Sequence, residues 1–425
     1  MPEHSVPNGS ETTRSKFHYG WVIIAVCTLM MAITYGLMYT YSVFFKPLAE
    51  YFDWDRATVS AIYSVSLVIR GAVSIGVGWL ADRYGAVKLS VFCSLMIGLG
   101  LILTSQVTAL WQFFLTYALI EAIGLSGTFG IATAVTSRWF TKNRGLALGI
   151  VSSGVGIGTL FIVPGAERLI NAFDWSAAYI IFGIASGVIM IGLSFFLRPA
   201  PQPASPRNNP AGREKTTPVS AGQPDINYYR ADSTLGEAVR SPQTRILLAI
   251  FALFFFSTHM VIVHLVNYAT DIGITPLVAA TLVSIVGIFS IAGRLTMGVA
   301  ADKVGIHNTL MLCCVLLTVS IVVLIFTRSL WAFYLFAIIF GFAYGGEVPQ
   351  IPLLAGKHFG TKSLAALVGL ILFVGNIGGA LGPWVAGKIF DVTAGYQWAF
   401  IIGSIAALGS LVTAYVLKKH SRVTD

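Results

Sequence analysis

An eight-residue stretch occurs twice in this chain, at an offset of 220 residues. The first copy is GWLADRYG at residues 78–85, and the second is GVAADKVG at residues 298–305. Both copies keep two glycines, an alanine, an aspartate and a basic residue at the same positions. The same offset pairs Ile157-Gly158 with Ile377-Gly378. Matches that stay in register over so long a stretch indicate a duplicated unit, so we expect two similar halves.

Composition places this duplicated chain in a membrane. Hydrophobic residues make up 56% of the 425 residues and charged residues only 11%, whereas a soluble domain carries about 25% charged residues. The apolar residues form blocks of about 20, the length that a helix needs to cross a bilayer, and backbone amides in lipid must bond within such a helix. The predicted fold class is an all-α membrane protein with twelve transmembrane helices in two pseudo-symmetric six-helix bundles.

The apolar blocks place the twelve predicted spans along the chain. They are residues 20–44, 57–80, 88–106, 111–137, 145–166, 176–197, 244–268, 276–299, 308–327, 331–355, 364–388 and 397–417. A polar segment rich in proline and serine separates spans six and seven, and such a composition cannot form a packed core. We therefore predict an N-terminal half at 1–198, a flexible cytoplasmic linker at 199–243 and a C-terminal half at 244–425.

The basic residues predict the orientation. Of the 27 lysines and arginines, 20 lie in the tails, in the linker and in loops on the same side as the termini. Five lie on the other side and two lie within spans. Cytoplasmic loops carry an excess of basic residues, so both termini are predicted to be cytoplasmic in a plasma membrane, or in the inner membrane of a bacterium. The charge of +9 is then a topology signal, and no nucleic-acid partner is expected.

Other classes of function lack their motifs. The four cysteines lie in apolar blocks without histidines at ligand spacing, so neither a metal site nor a cofactor is predicted. The sequence has no Gly-x-x-x-x-Gly-Lys-Ser/Thr loop for ATP. An enzyme would need a nucleophile beside a base, for which Ser152 or Ser153 near Glu121 is a candidate pairing. We expect a monomer without enzymatic activity, surrounded by membrane lipid.

The repeated Gly-x-x-x-Asp-Arg-x-Gly loop resembles the signature loop of the major facilitator superfamily. The stretch Arg138–Gly149 and the glycine-rich run Gly154–Gly158 resemble it too. Tyr41–Leu48 and Gly293-Arg294 are similar to the branch that holds monocarboxylate porters and the oxalate–formate antiporter. This resemblance implies two halves that rock around a central site.

The resemblance also implies a role for the charges of the repeated loops. In the superfamily such loops hold the two halves together in one state of the cycle. The residues concerned would be Asp82 and Arg83, with Asp302 and Lys303 as counterparts. The alternative is that these charges only mark topology.

Ionisable residues inside the spans are costly and usually mark function. The charged ones are Arg70, Glu121, Arg294 and Glu347, and His259 and His264 are further candidates. Arg294 is the first candidate for substrate contact because its planar guanidinium matches a carboxylate. The resemblance agrees, since an arginine of span eight binds the substrate carboxylate in that branch. The alternative is a structural ion pair of Arg294 with Glu347.

Three further hypotheses concern the remaining polar residues. Arg70 and Glu121 either form a structural ion pair with each other or take part in transport. The candidates for proton coupling are Glu121, Glu347, His259 and His264. The predicted cavity wall consists of small or amphipathic residues, with interfacial anchoring as the alternative for each tyrosine. Besides Arg294, its members are Tyr35, Tyr39, Tyr117, Ser290, Tyr344 and Asn376. Animal monocarboxylate porters carry a lysine in span one and an aspartate near the span-eight arginine, and this chain has neither. The oxalate–formate antiporter has a lysine in span eleven, whereas this chain has Asn376 in that span and no intramembrane lysine.

The sequence therefore predicts a secondary transporter of small organic anions. The leading hypothesis is proton symport of a monocarboxylate such as lactate or pyruvate by alternating access. One cavity arginine suits a monocarboxylate, whereas two, if Arg70 also faces the cavity, suit a dicarboxylate and an exchanger. Drug efflux and a sensor that binds solute without moving it are the remaining alternatives.

Overall fold

A computed structural model of the chain describes residues 19–140, 144–198, 235–359 and 364–424. Within those ranges, twelve helices are long and apolar enough to cross a membrane. They are α1 Gly20–Phe52, α2 Arg56–Tyr84, α3 Ala86–Thr104, α4 Leu110–Trp139, α5 Arg144–Ala172, α6 Trp175–Ser194, α7 Pro242–Asp271, α8 Pro276–Val304, α9 Ile306–Phe326, α10 Leu330–Phe359, α11 Leu364–Thr393 and α12 Gln397–Thr424.

The predicted number of spans and the fold class are confirmed, but most helices are longer than their apolar blocks. Helix α1 continues to Phe52 and α8 to Val304, beyond the predicted ends at 44 and 299. Hydrophobicity marks only the part of a helix that meets hydrocarbon. Backbone hydrogen bonding continues into the polar turns on either side, so the apolar blocks underestimate the helices.

The signature loops have the same backbone conformation in both halves. Gly85 ends the turn between α2 and α3 with φ 88° and ψ 146°, and Gly305 does so between α8 and α9 with φ 88° and ψ 142°. Residues with a side chain rarely adopt so positive a φ. The second glycine of the motif is therefore required by the turn itself, which explains why both copies keep it.

The duplication is also visible in the packing of helices. Gly158 of α5 lies against Ala32 of α1, and a Cβ at Gly158 would meet the Ala32 carbonyl oxygen at 1.9 Å. In the second half, Gly378 of α11 lies against Ala252 of α7, with a corresponding distance of 2.1 Å. Both pairs differ by 220 residues. Small residues at such crossings let helix backbones approach closely, so each half is assembled by the same contact.

The fourth helix of each half is irregular beside its buried glutamate. In α4 a π-helical segment runs from Phe114 to Glu121. In α10 the α-helix stops at Glu347 and resumes at Gln350. Pro349 and Pro352 have no N–H to donate, so they interrupt the hydrogen-bond ladder there. π-Bulges and breaks of this kind occur often at functional sites.

The predicted linker, 199–243, differs from expectation at its C-terminal end. Residues 235–240 form a short helix, and the Thr244 hydroxyl donates to the Ala238 carbonyl. Ser241 caps α7 by accepting from the Thr244 amide at 3.2 Å, and Pro242 is the first helical residue, a common arrangement at helix starts. Residues 199–234 of the predicted linker lie outside the described residues, as do the side chain of Asp82 and residues 141–143.

The two halves meet along α2 with α11 and along α5 with α8. We call the end of the bundle that carries Gly85 and Gly305 the motif end, and the end where α2 begins the seal end. Near the seal end, a Cβ at Gly387 of α11 would meet the carbonyl oxygen of Arg56 at 2.6 Å. Near the motif end, Gly76 of α2 and Gly369 of α11 have no neighbouring atom within 4 Å of a Cβ position. Helices α2 and α11 are therefore in close contact at the seal end and separated at the motif end. Helices α5 and α8 remain in contact toward the motif end, where a Cβ at Gly149 would lie 3.5 Å from the Leu295 side chain.

Candidate functional site

A central cavity of about 190 Å³ lies between the halves. Both halves contribute to its wall through α1, α2, α4 and α5 on one side and α7, α8, α10 and α11 on the other. Ser74 of α2 is an exposed residue of this wall. Because α2 and α11 separate beyond Gly71, the cavity opens toward the motif end. Pockets for drug-sized ligands measure about 300–1,000 Å³, so this cavity fits a smaller solute.

Arg294 reaches from α8 into the cavity and also contacts the opposite half. Its Nη1 donates to the carbonyl oxygen of Ser152 in α5 at 2.6 Å, and its buried Nε has no hydrogen-bond partner. Arg294 and Glu347, both among the described residues, form no salt bridge within 4 Å. The alternative of a structural ion pair between them is therefore not realised in this structure.

Glu347 lines the same cavity from α10. Its side chain is fully buried, and neither carboxyl oxygen has a hydrogen-bond partner among the described residues. An ionised carboxylate without partners is costly in a buried site. The regular α-helix ends at Glu347 and resumes at Gln350.

Arg70 faces the cavity from α2, in the half opposite Arg294. Its side chain is 7% exposed, and its Nη2 has no hydrogen-bond partner in the part of the chain that the structure describes. The Nε donates only a long bond of 3.4 Å to the Ser66 carbonyl of its own helix. The expected alternative, a pair with Glu121, is not formed: among the described residues the salt bridges all involve Asp271.

The inner end of the cavity is closed by tyrosines from both halves. Tyr35 of α1 and Tyr344 of α10 line it, and the hydroxyls of Tyr39 and Tyr344 are hydrogen-bonded to each other. This bond joins the first helix of one half to the fourth helix of the other. Tyrosine is suited to such a position, with an apolar ring for packing and a polar tip for the wet side.

His259 and Asn376 complete the polar wall on the C-terminal side. The Nδ1 of His259 lies 3.2 Å from the Tyr63 hydroxyl of the other half. Asn376 of α11 faces Gly71 of α2, where a Cβ would lie 3.2 Å from the Asn376 Nδ2. Both residues therefore lie beside Arg70 at the contact between the halves.

Five of the predicted substrate-binding and proton-coupling residues do not line the main cavity, and two of them, Tyr39 and Ser290, line a second and much smaller one. Tyr117 packs in the first half with its ring 5.0 Å from that of Tyr41. Glu121 is fully buried against α3 without a hydrogen-bond partner. The Ser290 hydroxyl donates to the carbonyl of Gly287, in the contact of α8 with its neighbours. His264 belongs to the seal end, described next. Neither Tyr117 nor Ser290 lines this cavity in the present structure, and their predicted contact with substrate stays a prediction.

The seal end contains a network of charges between the halves that the sequence analysis did not predict. The guanidinium of Arg56 binds both carboxylate oxygens of Asp271 at 2.7 and 3.0 Å, and Lys46 binds Asp271 at 2.6 Å. Asp391 of α11 accepts from the backbone amides of Arg56 and Ala57 at 2.9 and 2.8 Å. These basic residues had been counted only as topology markers, because the sequence does not show which acids face them.

Beneath these charges the seal continues with buried polar groups. The His264 Nε2 lies 2.9 Å from the Pro383 carbonyl and 3.2 Å from the Ser60 hydroxyl. Its Nδ1 lies 2.9 Å from the Tyr396 hydroxyl. The Arg56 guanidinium stacks 3.6 Å from the centre of the Phe390 ring. His264 therefore joins α2, α7, α11 and the turn before α12.

Both signature loops lie at the motif end. Asp302 and Lys303 are exposed at the end of α8, and the Arg83 guanidinium lies 5.6 Å from the Tyr84 ring centre. Their predicted role in holding the halves together concerns a state closed at this end, so it stays a prediction. Among the described residues there is no group of three metal-ligating side chains, and the four cysteines are buried thiols.

Several known proteins are similar to this chain. Monocarboxylate transporter 12 of Xenopus laevis is 27% identical over 417 residues, which cover 95% of this chain and 90% of that protein. Monocarboxylate transporter 13 of Bos taurus is 26% identical over 400 residues, with 93% and 89% covered.

Two solved structures have the same fold. The nucleoside transporter NupG superimposes with a TM-score of 0.70 at 17% identity, covering 94% of this chain and 99% of that one. A bacterial homologue of the human lysosomal transporter Spinster, in an inward-facing and unoccupied conformation, gives 0.65 at 16% identity, with 95% of each chain covered.

The family assignment follows from a match over most of the chain. The family model described as Major Facilitator Superfamily matches residues 27–383, with a second match at 245–424. The overlap of the two matches agrees with the 220-residue repeat. With twelve helices, two related halves and a polar cavity between them, the chain is a multi-pass membrane transporter that belongs to the Major Facilitator Superfamily.

Proposed function

We propose that this transporter carries small organic anions, with a monocarboxylate such as lactate or pyruvate as substrate and a proton as the coupling ion. The observation that supports this best is the position of Arg294. Its guanidinium lies in a small central cavity at the contact between the halves, and no carboxylate of the described residues pairs with it. The names of the relatives, which are monocarboxylate transporters, favour the same class of substrate.

Arg294 recognises the carboxylate through its remaining donors. One N–H is already fixed by the Ser152 carbonyl, which sets the orientation of the planar group. A guanidinium oriented in this way offers a fork of donors that matches a carboxylate. The small cavity and its tyrosines leave room for a short carbon chain, and they disfavour the amphipathic drugs considered as an alternative.

Glu347 couples the proton to the anion. It lies in the same cavity and half as Arg294, and its carboxyl oxygens have no hydrogen-bond partner among the described residues. An ionised Glu347 and a substrate carboxylate compete for the charge of Arg294, because two anions beside one cation are unfavourable. Binding of the substrate anion therefore favours a protonated Glu347, and the two are released together. His259 is the second candidate for this proton.

Transport then requires that the cavity open alternately to one side of the membrane and to the other. With the basic residues placed on the cytoplasmic side, the motif end faces the cytoplasm and the present state is open to it. Rocking of the halves would separate the seal-end network of Arg56 and Asp271 and bring the loops at 82–83 and 302–303 together. Parallel duplicated halves around a central site suit this motion.

Uptake of labelled lactate into proteoliposomes under an inward proton gradient tests the proposal. We expect accumulation that collapses with a protonophore and is lost in Arg294→Gln. Arg328→Gln is the matched control, because Arg328 lies outside the cavity and donates to Tyr268 and Thr327. If no short monocarboxylate is accumulated by wild type, or if Arg294→Gln transports it as wild type does, the proposal is overturned.

A further inference from the structure

Arg70 is a second guanidinium in the wall of the cavity, in the half opposite Arg294. We propose that it forms a second anion subsite, so that the cavity takes short aliphatic dicarboxylates with one carboxylate on each arginine. This inference rests on the proposed function in one respect, namely that Arg294 binds the first carboxylate. The inference goes beyond the proposed function in two ways. It gives Arg70 a role that binding of a monocarboxylate to Arg294 does not need, and it names dicarboxylates as a class of substrate.

The hydrogen bonding of Arg70 leaves it available for a ligand. Its side chain is 7% exposed, and its Nη2 has no hydrogen-bond partner among the described residues. Its Nε has the 3.4 Å bond to Ser66 within α2, and the group also forms a side-chain hydrogen bond with Tyr63. The ring of Tyr63, whose centre lies 5.5 Å from the guanidinium carbon, supports the group from one side. A buried donor without an acceptor is costly, and an anion in the cavity would supply the acceptor.

Arg70 is also not neutralised by direct contact. Glu121 interacts with it only through space, since both Glu121 oxygens are buried without a hydrogen-bond partner and Glu121 does not line the cavity. The positive charge of Arg70 is therefore partly balanced from behind, while its Nη2 has no hydrogen-bond partner among the described residues. A purely structural arginine would be expected to bind this carboxylate.

The repeat shows how the two arginines are arranged. At the 220-residue offset, Arg70 corresponds to Ser290 and Ser74 corresponds to Arg294. Each half thus has one arginine and one serine, one helical turn apart, in opposite order along the helix. Four residues of an α-helix rise about 6 Å, so the guanidiniums lie at different depths on opposite walls. Both line the same cavity, so the proposal requires a short dicarboxylate to lie obliquely in it, with one carboxylate at each guanidinium.

Asn376 adds a donor on the Arg70 side. It lines the cavity from α11 and lies next to Gly71, the neighbour of Arg70. An amide nitrogen beside a guanidinium is suited to the second oxygen of the same carboxylate. A dicarboxylate held in this way would contact α2 and α11 at one end and α8 at the other, and would therefore tie the halves together across the cavity.

Two ligands of equal length test the inference on the full-length protein in detergent at pH 7.5. Succinate has two carboxylates, and succinamate has an amide in place of one. We expect titration calorimetry to show succinate binding at least about tenfold more tightly than succinamate, because a buried charge pair is lost with the amide. In Arg70→Gln the ratio should fall to about one, and in Arg70→Lys it should be intermediate, since an ammonium keeps the charge without the fork.

The outcomes separate this inference from the proposed function. Equal binding of the two ligands to wild type, which requires no variant, overturns the dicarboxylate subsite. A preference for succinate that survives in Arg70→Gln overturns the role of Arg70. If instead Arg294→Gln binds both ligands as wild type does, the carboxylate site itself is wrong and the proposed function fails with it.

Discussion

The salt bridge between Arg56 and Asp271 gives the sharpest test of how the halves are held at the seal end. The two residues are 215 positions apart and belong to different halves, joined by hydrogen bonds of 2.7 and 3.0 Å. We predict that Asp271→Asn destabilises the closed seal and shifts the protein toward a state open at that end. The variant keeps the shape of the side chain but removes the charge that binds both Arg56 and Lys46.

The magnitude follows from the burial and the chemistry of the pair. The side chains of Arg56 and Asp271 are 15% and 23% exposed, so the pair is neither a free surface bridge nor fully buried. Surface pairs contribute about 0–1 kcal/mol, whereas hydrogen bonds to charged groups contribute about 1.5–3 kcal/mol. We expect a loss of about 1–3 kcal/mol, which changes the ratio of open to closed seal by about 5- to 150-fold.

Pulsed EPR measures this ratio directly. Spin labels at Tyr51→Cys of α1 and Val392→Cys of α11 would report the distance between the halves, and both positions are exposed. The native cysteines are buried, which limits background labelling. Asp271→Asn should populate a longer distance that is minor in the parent protein.

Asp55→Asn is the matched control for the seal. Asp55 lies next to Arg56, but its Oδ1 accepts from the Thr58 amide of its own half. Its removal takes away the same charge at the same end without breaking a contact between the halves. Equal distance distributions for Asp271→Asn and the parent, or an equal shift in Asp55→Asn, would refute the reasoning.

Three further predictions concern the proton, the packing and the tyrosines. Glu347→Gln should abolish accumulation of lactate driven by a proton gradient while exchange of internal for external lactate persists, and loss of both or neither would contradict its role. Gly158→Ala should overpack the contact of α5 with α1, reduce the free energy of unfolding by about 1–3 kcal/mol and so lower the melting temperature. Gly165→Ala is the control, because no atom lies within 4 Å of its Cβ position, and equal melting temperatures for the two variants would refute the helix contact. Tyr39→Phe removes a hydrogen bond between the halves, about 0.5–1.5 kcal/mol, and should give a smaller EPR shift than Asp271→Asn.

The cavity residues that the sequence predicted correctly are those that can be recognised from a single helix. Arg70, Arg294 and Glu347 were recognised because a charge within an apolar block is costly wherever it points. Glu121 satisfied the same criterion, yet it lies outside the cavity, buried against α3. Tyr117 likewise packs against aromatic rings of its own half. The periodicity of a helix gives the spacing of its faces, but it does not say which face meets the other half.

The sequence by itself determined the twelve helices and their division into two related halves, because membrane thickness and backbone hydrogen bonding act locally on each apolar block. Its 220-residue repeat also determined that the halves are built alike. The tertiary structure alone decided that Arg70 and Arg294 face one cavity from opposite walls, and that Arg56 meets Asp271 and Asp391 at the seal end. Those contacts join residues more than two hundred positions apart, and they depend on the rotation and tilt of packed helices, which hydrophobicity does not encode.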